Sequence, residues 1–107
     1  MDEQQRVPGY DADLVEENTY RLRLFVTGAT PNSSRAIANI KEICEHHLKG
    51  KYELEIIDVY QQPLIAEREQ LIALPMLIKR TPSPQRRLVG DMSDTDKVLR
   101  GLNLPVI

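Results

Sequence analysis

The chain of 107 residues contains no tryptophan and a single cysteine, Cys44. One cysteine forms no intrachain disulfide, so the sequence predicts a reducing, cytoplasmic compartment. No apolar run approaches the ~20 residues that a membrane-spanning helix needs, and the opening MDEQQRVPGY does not follow the basic-then-apolar pattern of a secretory signal. These absences predict a cytoplasmic protein without a membrane partner. The length suits one domain with a core of its own.

Acidic residues are concentrated at the amino terminus. Residues 1–18 contain six acidic side chains and one arginine, a net charge of −5, whereas the rest of the chain sums to +3. Because this segment has few apolar residues, we predict an acidic, flexible leader over 1–18 and one folded domain over 19–107. A regulatory or partner-binding role of the leader is the alternative to a solvated tail. The body is too weakly basic to predict a nucleic-acid partner.

The first half of the chain predicts a βαβ unit. Alternating apolar residues favour one strand over 20–27 and another over 52–60. Between them, Pro31 with Asn32 or Ser33 predicts a helix start, because Asn and Ser side chains cap the unpaired N–H groups of the first turn. The connections are short, which implies that the two strands are parallel.

The second half predicts shorter elements. Pro63 fits the first turn of a helix, two apolar runs around a TPSP turn indicate a bent hairpin, and Ser93-x-x-Asp96 approximates a capping box. The resulting order, βαβαββα, is typical of an α/β, thioredoxin-like fold with a mixed sheet and helices on both faces. The predicted ranges are 63–73 for the helix, 74–80 and 85–90 for the strands, 81–84 for the turn and 93–102 for the last helix.

The residues that could support catalysis do not form a recognisable set. Where a redox protein of this architecture places Cys-x-x-Cys at a helix start, the chain has the segment 30–33, Thr-Pro-Asn-Ser. Cys44 and His47 lie on one helical side, but no further ligand completes a zinc site. Asp91, Asp94 and Asp96 suit the positive end of the last helix dipole. The sequence therefore predicts no enzyme, no metal and no cofactor.

Four motifs follow one another over residues 20–104: LRLFVTGATPNSSRAIANI, IIDVYQQPLIAE, ALPMLIK and RRLVGDMSDTDKVLRGLNL. Together they resemble the KaiB family of circadian-clock adaptor proteins. The resemblance implies a thioredoxin-like fold without redox cysteines, and binding to the N-terminal ATPase ring of a KaiC-like hexameric ATPase. It also implies that the C-terminal half switches to a second packing, which self-associates as a homo-oligomer, a dimer or tetramer.

The resemblance also implies two sets of site residues. Lysines common in family members from clock-bearing cyanobacteria are replaced here by Glu55, Gln61 and Gln70, so a stress-adaptation pathway is at least as well supported as a clock. The implied partner-binding residues are Arg35, Asp58, Gln61, Gln70, Arg86 and Arg87, with the surface of helix 63–73. The implied structural or fold-switch residues are Gly28, Pro31, Asn32, Pro75 (as a cis proline), Gly90, Asp91, Gly101 and Asn103.

The C-terminal segment is ambiguous on its own residues. Val98, Leu99 and Leu102 suit a helix, yet residues 102–106 alternate as a strand does. Gly101 weakens the helix, so Gly101→Ala is expected to strengthen it. A short helix that frays is the simpler alternative to fold switching. Two other functions stay open: a thiol-dependent redox enzyme that uses Cys44, and a self-assembling stress protein without an ATPase partner.

Overall fold

The computed structural model describes residues 19–71 and 73–106. The predicted leader, residues 1–18, lies outside the described residues. Within the described ranges, no helix is long and apolar enough to cross a membrane.

Four strands form one mixed sheet in the order β2-β1-β3-β4. β1 pairs in parallel with β2, with Leu24 opposite Ile56, and antiparallel with β3, which in turn pairs antiparallel with β4. The parallel βαβ unit and the hairpin predicted from the sequence are therefore confirmed. The strands are β1 (Tyr20–Val26), β2 (Tyr52–Asp58), β3 (Met76–Thr81) and β4 (Arg86–Val89).

The first helix, α1, spans Pro31–His47. Its cap is Thr30, whose hydroxyl accepts a hydrogen bond from the Ser33 backbone N–H at 3.2 Å. The prediction of Asn32 or Ser33 as the cap is wrong, because Pro31 has a fixed φ and no N–H and so fits the first helical position. The helix ends where the N–H of Leu48 bonds to the carbonyl of Cys44 at 2.8 Å.

The second helix, α2, spans only Pro63–Arg68, so the predicted range 63–73 is too long. Gln70 has φ of +56°. The N–H groups of Gln70 and Leu71 bond back to the carbonyls of Glu67 and Ala66, at 3.2 and 3.0 Å. This is the Schellman pattern, in which a residue of left-handed conformation ends the helix. Glycine usually takes that position, and its absence here explains why the sequence did not show the end.

The last helix, α3, spans Thr95–Gly101. Asp94 caps it by accepting from the Lys97 N–H at 3.1 Å, so the predicted Ser93 capping box is wrong by one residue. Asn103 has φ of +61°, and the N–H of Leu104 bonds to the carbonyl of Leu99 at 2.8 Å. Asn103 thus ends α3 as Gln70 ends α2.

Two apolar clusters cover the two faces of the sheet. On one face, α1 and α3 pack against Leu22, Leu24 and Leu77. On the other face, α2 contributes only partly buried side chains over Phe25, Ile57, Val59, Met76 and Ile78. The expectation of helices on both faces is therefore confirmed, although the two faces are covered unequally.

Candidate partner-binding surface

The loop after β1 is held by hydrogen bonds and offers no reactive group. The Ser33 side chain, which is fully buried, accepts from the Thr27 N–H at 3.1 Å and from the Thr30 hydroxyl at 2.8 Å. An opening of about 330 Å³ lies beside this loop, lined in part by Pro31, Asn32 and Pro75. The Leu74–Pro75 peptide bond is cis, as the resemblance implied. The Thr-Pro-Asn-Ser segment therefore fixes the entry into α1.

Asp58 joins this loop to the loop after β2. Its Oδ1 accepts from the Gly28 N–H at 3.1 Å and from the Tyr60 N–H at 2.9 Å. Gly28 has φ of +61°, and a Cβ placed there would lie 3.5 Å from the Tyr60 ring. Asp58, implied as a partner-binding residue, thus links the backbone at Tyr60 to the backbone at Gly28, implied as a structural residue.

The segment from Tyr60 through α2 exposes apolar side chains next to expected binding residues. Tyr60 is 74% exposed and Leu64 is 68% exposed, while Gln61 and Gln70 are exposed at either end of α2. We call the surface formed by residues 60–70 the α2 surface. The sequence placed Tyr60 in the strand predicted over 52–60 and Leu64 in the helix predicted over 63–73, and neither prediction indicated their exposure.

A second group of expected residues meets around Asp91. The Arg35 Nε lies 3.2 Å from Asp91 Oδ2, and the Arg35 guanidinium also donates to Asn32. The Asn39 amide donates to the Asp91 carbonyl at 2.8 Å. Hydrogen bonds from Ser93, and then the Arg35 guanidinium, hold the pKa of Asp91 below its usual value despite some desolvation. This cluster ties the segment after β4 to α1.

Arg86 and Arg87 do not form one surface, although both were expected to bind the partner. Consecutive strand residues point to opposite faces, and the register places Arg86 opposite Lys79 and Arg87 opposite Ile78. Arg87 Nη2 donates to the Glu69 carbonyl at 2.8 Å. Arg87 therefore belongs to the α2 side of the sheet and Arg86 to the other.

Lys79, beside Arg86, is a buried cation that the sequence did not suggest. Its side chain is 1% exposed, and Nζ has no hydrogen-bond partner among the described residues. The ring centre of Tyr20 lies 6.0 Å from Nζ. Burial, and then repulsion from Arg86, lower the pKa of Lys79 because both disfavour the charged form.

Glu69 is a further residue that sequence reasoning missed. Its carboxylate lies within ion-pair distance of three guanidinium groups, those of Arg80, Arg23 (3.7 Å) and Arg87 (4.0 Å). These three arginines come from three neighbouring strands and share the face on which α2 lies. The alternation of arginines along the strands could have predicted that they share one face of the sheet. It could not have predicted that they surround Glu69.

Cys44 is poorly placed for thiol chemistry. Its side chain is fully buried among apolar residues of α1. Burial, and then the charge of Glu45, raise its pKa to about 12. A thiol must ionise to act as a nucleophile, so the structure gives no support to the redox alternative. Among the described residues, no group of three or more potential ligands is placed to hold a metal ion.

Gly101 has a different role from the one expected. A Cβ at this position would lie 2.6 Å from Leu88 Cδ2, closer than packed carbon atoms approach. At this close contact between α3 and β4, a residue larger than glycine would displace the Leu88 side chain. The expectation that Gly101→Ala strengthens the last helix stays a prediction, and this contact argues against it.

Sequence and structure comparisons agree on the family. A model of the KaiB domain matches residues 23–104. The circadian clock oscillator protein KaiB of Prochlorococcus marinus subsp. pastoris is 50% identical over 91 residues, which cover 85% of each chain. Circadian clock protein KaiB3 of Synechocystis sp. is 48% identical over 90 residues, 84% of this chain and 88% of that protein.

Solved structures show the same fold. The N-terminal domain of Synechococcus elongatus SasA matches with a TM-score of 0.65 and 26% identity, over 84% of this chain and 90% of that one. Chloroplastic thioredoxin z matches with a TM-score of 0.66 over 94% and 93% of the two chains, but at 13% identity it shares the fold alone. With the family model and these relatives in agreement, the chain belongs to the KaiB family.

Proposed function

We propose that this protein is a non-catalytic adaptor that binds a KaiC-type hexameric ATPase and regulates a clock or stress-adaptation output. The observation that carries the proposal is the α2 surface, where Tyr60 and Leu64 are exposed on a segment held in place by Asp58. Tyrosine is among the residues that most often anchor protein interfaces, and an exposed apolar side chain beside it extends the patch that a partner could cover. Membership in a family of clock proteins supports a clock-related partner.

The polar residues around these anchors suit a selective interface. Gln61 and Gln70 are exposed beside them, and Arg87 lies on the same side of the sheet through its bond to the Glu69 carbonyl. Because the two glutamines carry no charge, we expect the shape of the surface and the charge of Arg87 to determine which partner binds. The likeness to the SasA N-terminal domain at 26% identity further supports a partner from a clock-type system.

An affinity pull-down from the native host, with ATP present and mass-spectrometric detection, tests this proposal. The bait proteins are the wild type, a Tyr60→Ala/Leu64→Ala double variant and an Ile56→Ala control. Ile56 is 36% exposed and lies opposite Leu24, on the sheet face that α1 and α3 cover. We expect a KaiC-like ATPase with the wild type and the control, and its loss with the double variant. Equal recovery by all three baits would contradict the proposed surface.

We further propose that the C-terminal half adopts a second packing, which self-associates as a dimer or tetramer. α3 has seven residues and contains Gly101, and residues 102–106 alternate in hydrophobicity, so neither helix nor strand is strongly favoured locally. Two packings within a few kcal/mol are sufficient for such a switch. NMR exchange spectroscopy over a range of protein concentrations tests this. A single set of signals with a constant monomeric size would contradict it.

A further inference from the structure

We propose that Glu69 is a positioning residue of the α2 surface: its carboxylate holds the C-terminal end of α2 on the sheet through arginines of three strands, and ionic strength thereby controls how fully the surface is presented. The inference rests on the proposed function, because the surface concerned is the one proposed to bind the partner. The Glu69 side chain is 20% exposed and faces the sheet, so it acts on a partner through α2.

α2 is too short to be stable on its own. It has six residues, whereas isolated helices shorter than ~12–15 residues are marginal in water. Its apolar contact with the sheet is also limited, because Ile65 and Ala66, which pack against the apolar cluster on that face, are only partly buried. The position of α2 therefore depends on polar contacts at its two ends.

The N-terminal end of α2 is held by the loop that precedes it. The Asp58 carboxylate accepts from the Tyr60 N–H at 2.9 Å, and the Asp58 carbonyl accepts from the Gln62 N–H at 3.1 Å. These bonds fix the chain that leads into the first turn. The C-terminal end of the helix needs a support of its own.

Glu69 supplies that support. Its carboxylate pairs with Arg80, and it lies 3.7 Å from the Arg23 guanidinium and 4.0 Å from that of Arg87. Arg87 also donates to the main-chain carbonyl of Glu69 at 2.8 Å. The three arginines lie on β1, β3 and β4, which are adjacent in the sheet, so one residue ties α2 to three strands. Several charges in one network contribute more than isolated surface pairs do.

The ion pairs of Glu69 are accessible to salt. The side chains of Arg23, Arg80 and Arg87 are 36%, 35% and 37% exposed. Dissolved ions screen charges in such positions, and the Debye length falls from about 8 Å at 0.15 M salt to about 3 Å at 1 M. Salt should therefore loosen the end of α2. Only the fraction of molecules in which α2 is in place binds a partner, so the apparent affinity falls with that fraction.

Hydrogen exchange in the free protein, measured by NMR, tests the ion pairs without a partner. The reporters are the amides of Gln70 and Leu71, whose backbone hydrogen bonds close the end of α2. We expect Glu69→Gln, which keeps the size and removes the charge, to lower their protection at least about threefold. In 1 M salt the wild type should lose protection to a similar degree, and the variant should change little. Glu67→Gln, exposed in the same helix, is the matched control and should leave protection unchanged.

A double-mutant cycle with Arg80→Gln shows whether the effect depends on the ion pairs. We expect Arg80→Gln alone to lower the protection of the α2 amides, and to add little to Glu69→Gln, because both changes disrupt one network. Additive losses would overturn the proposal, since each side chain would then act independently. Unchanged protection in Glu69→Gln would overturn it as well, because the apolar contacts of α2 would then be sufficient.

The affinity for a purified KaiC-type hexameric ATPase with ATP relates the position of α2 to binding. We expect Glu69→Gln to weaken binding at least about twofold, in proportion to the loss of the helical fraction of α2 read from carbon chemical shifts. Glu42→Gln removes the same charge from an exposed position of α1 and should leave the affinity unchanged.

The two measurements separate this inference from the proposed function. Lower protection of α2 in Glu69→Gln, together with an unchanged affinity, would overturn the positioning role while the adaptor function stood. Absence of binding by the folded wild type would contradict the proposed function and with it the positioning role. The exchange data would still show whether Glu69 holds α2 on the sheet.

Discussion

The two halves of this domain are built in different ways. In the first half, α1 has 17 residues and buries Ala36, Ile40, Ile43 and Cys44 against the sheet. In the second half, α2 has six residues and buries none completely, β4 has four residues and α3 seven. The first half follows local propensity, whereas the second depends on particular tertiary contacts such as Arg35 with Asp91. A region of that kind opens at lower free energy, which suits a half that is proposed to repack.

The largest expected effect is that of Ile40→Ala in α1. Ile40 is fully buried, and such truncations cost about 2–5 kcal/mol, enough to threaten the whole domain. The matched change Ile65→Ala in α2, where the side chain is only partly buried, is expected to cost less than half as much. Urea unfolding of both variants measures the difference. Equal losses would show that the two halves are equally tightly packed.

Gly101→Ala sharpens the comparison within the second half. Because the new Cβ would meet Leu88 at 2.6 Å, we expect a loss of about 1–3 kcal/mol, as for other overpacked sites. Arg100→Ala, one residue earlier and exposed, is the control and should change stability little. If Gly101→Ala instead stabilised the thioredoxin-like state, the close contact between α3 and β4 would not be a constraint.

Lys79→Met is expected to stabilise the protein by about 1–2 kcal/mol, since it removes a buried donor for which the described residues offer no partner. The pKa of Lys79 is lowered in the folded state, so the unfolded chain binds more protons between that value and the ordinary value near 10.4. The contribution of Lys79 to stability therefore rises with pH through this window.

The pKa values of Cys44 and Tyr20 are raised in the folded state, so these two groups lower the stability of both proteins as pH rises. Their effect cancels when the stability of the wild type is subtracted from that of Lys79→Met, and the contribution of Lys79 remains. Thermal unfolding from neutral to alkaline pH should show the stability gap narrowing as pH rises. A gap independent of pH would mean that Lys79 is not held as a destabilised cation.

The smallest expected effect is at the end of α2. Gln70 has φ of +56°, a conformation that glycine adopts without strain, so Gln70→Gly should stabilise by about 0.5–1 kcal/mol. Glu67→Gly, inside the same helix, should destabilise by about 1 kcal/mol. Opposite signs for two glycine substitutions three residues apart would support the helix end described. Two losses would argue against it.

The sequence predicted the first half well because its patterns are long and regular. The strands of the βαβ unit and the sheet topology follow from alternation and from short connections. In the second half, two helices end at Gln70 and Asn103, which adopt a left-handed backbone conformation although neither is glycine. The small size of Gly101 matters only because Leu88 of β4 packs against it. Such features arise from tertiary packing and leave little local signal.

The site was predicted unevenly for a similar reason. The resemblance indicated Asp58, Arg35 and Asp91, and each makes a defined contact in the structure. It could not separate Arg86 from Arg87, since a strand register decides which face each occupies. The exposure of Tyr60 and Leu64 depends on how far α2 extends over the sheet, which periodicity alone does not determine.

The most direct measurement is the affinity of the purified protein for a purified KaiC-type hexameric ATPase with ATP. The proposed adaptor function predicts saturable binding, weakened at least about tenfold, or 1.4 kcal/mol, by Tyr60→Ala/Leu64→Ala and unchanged by Ile56→Ala. Absence of binding by the folded wild type, or an affinity insensitive to the double variant, would contradict it.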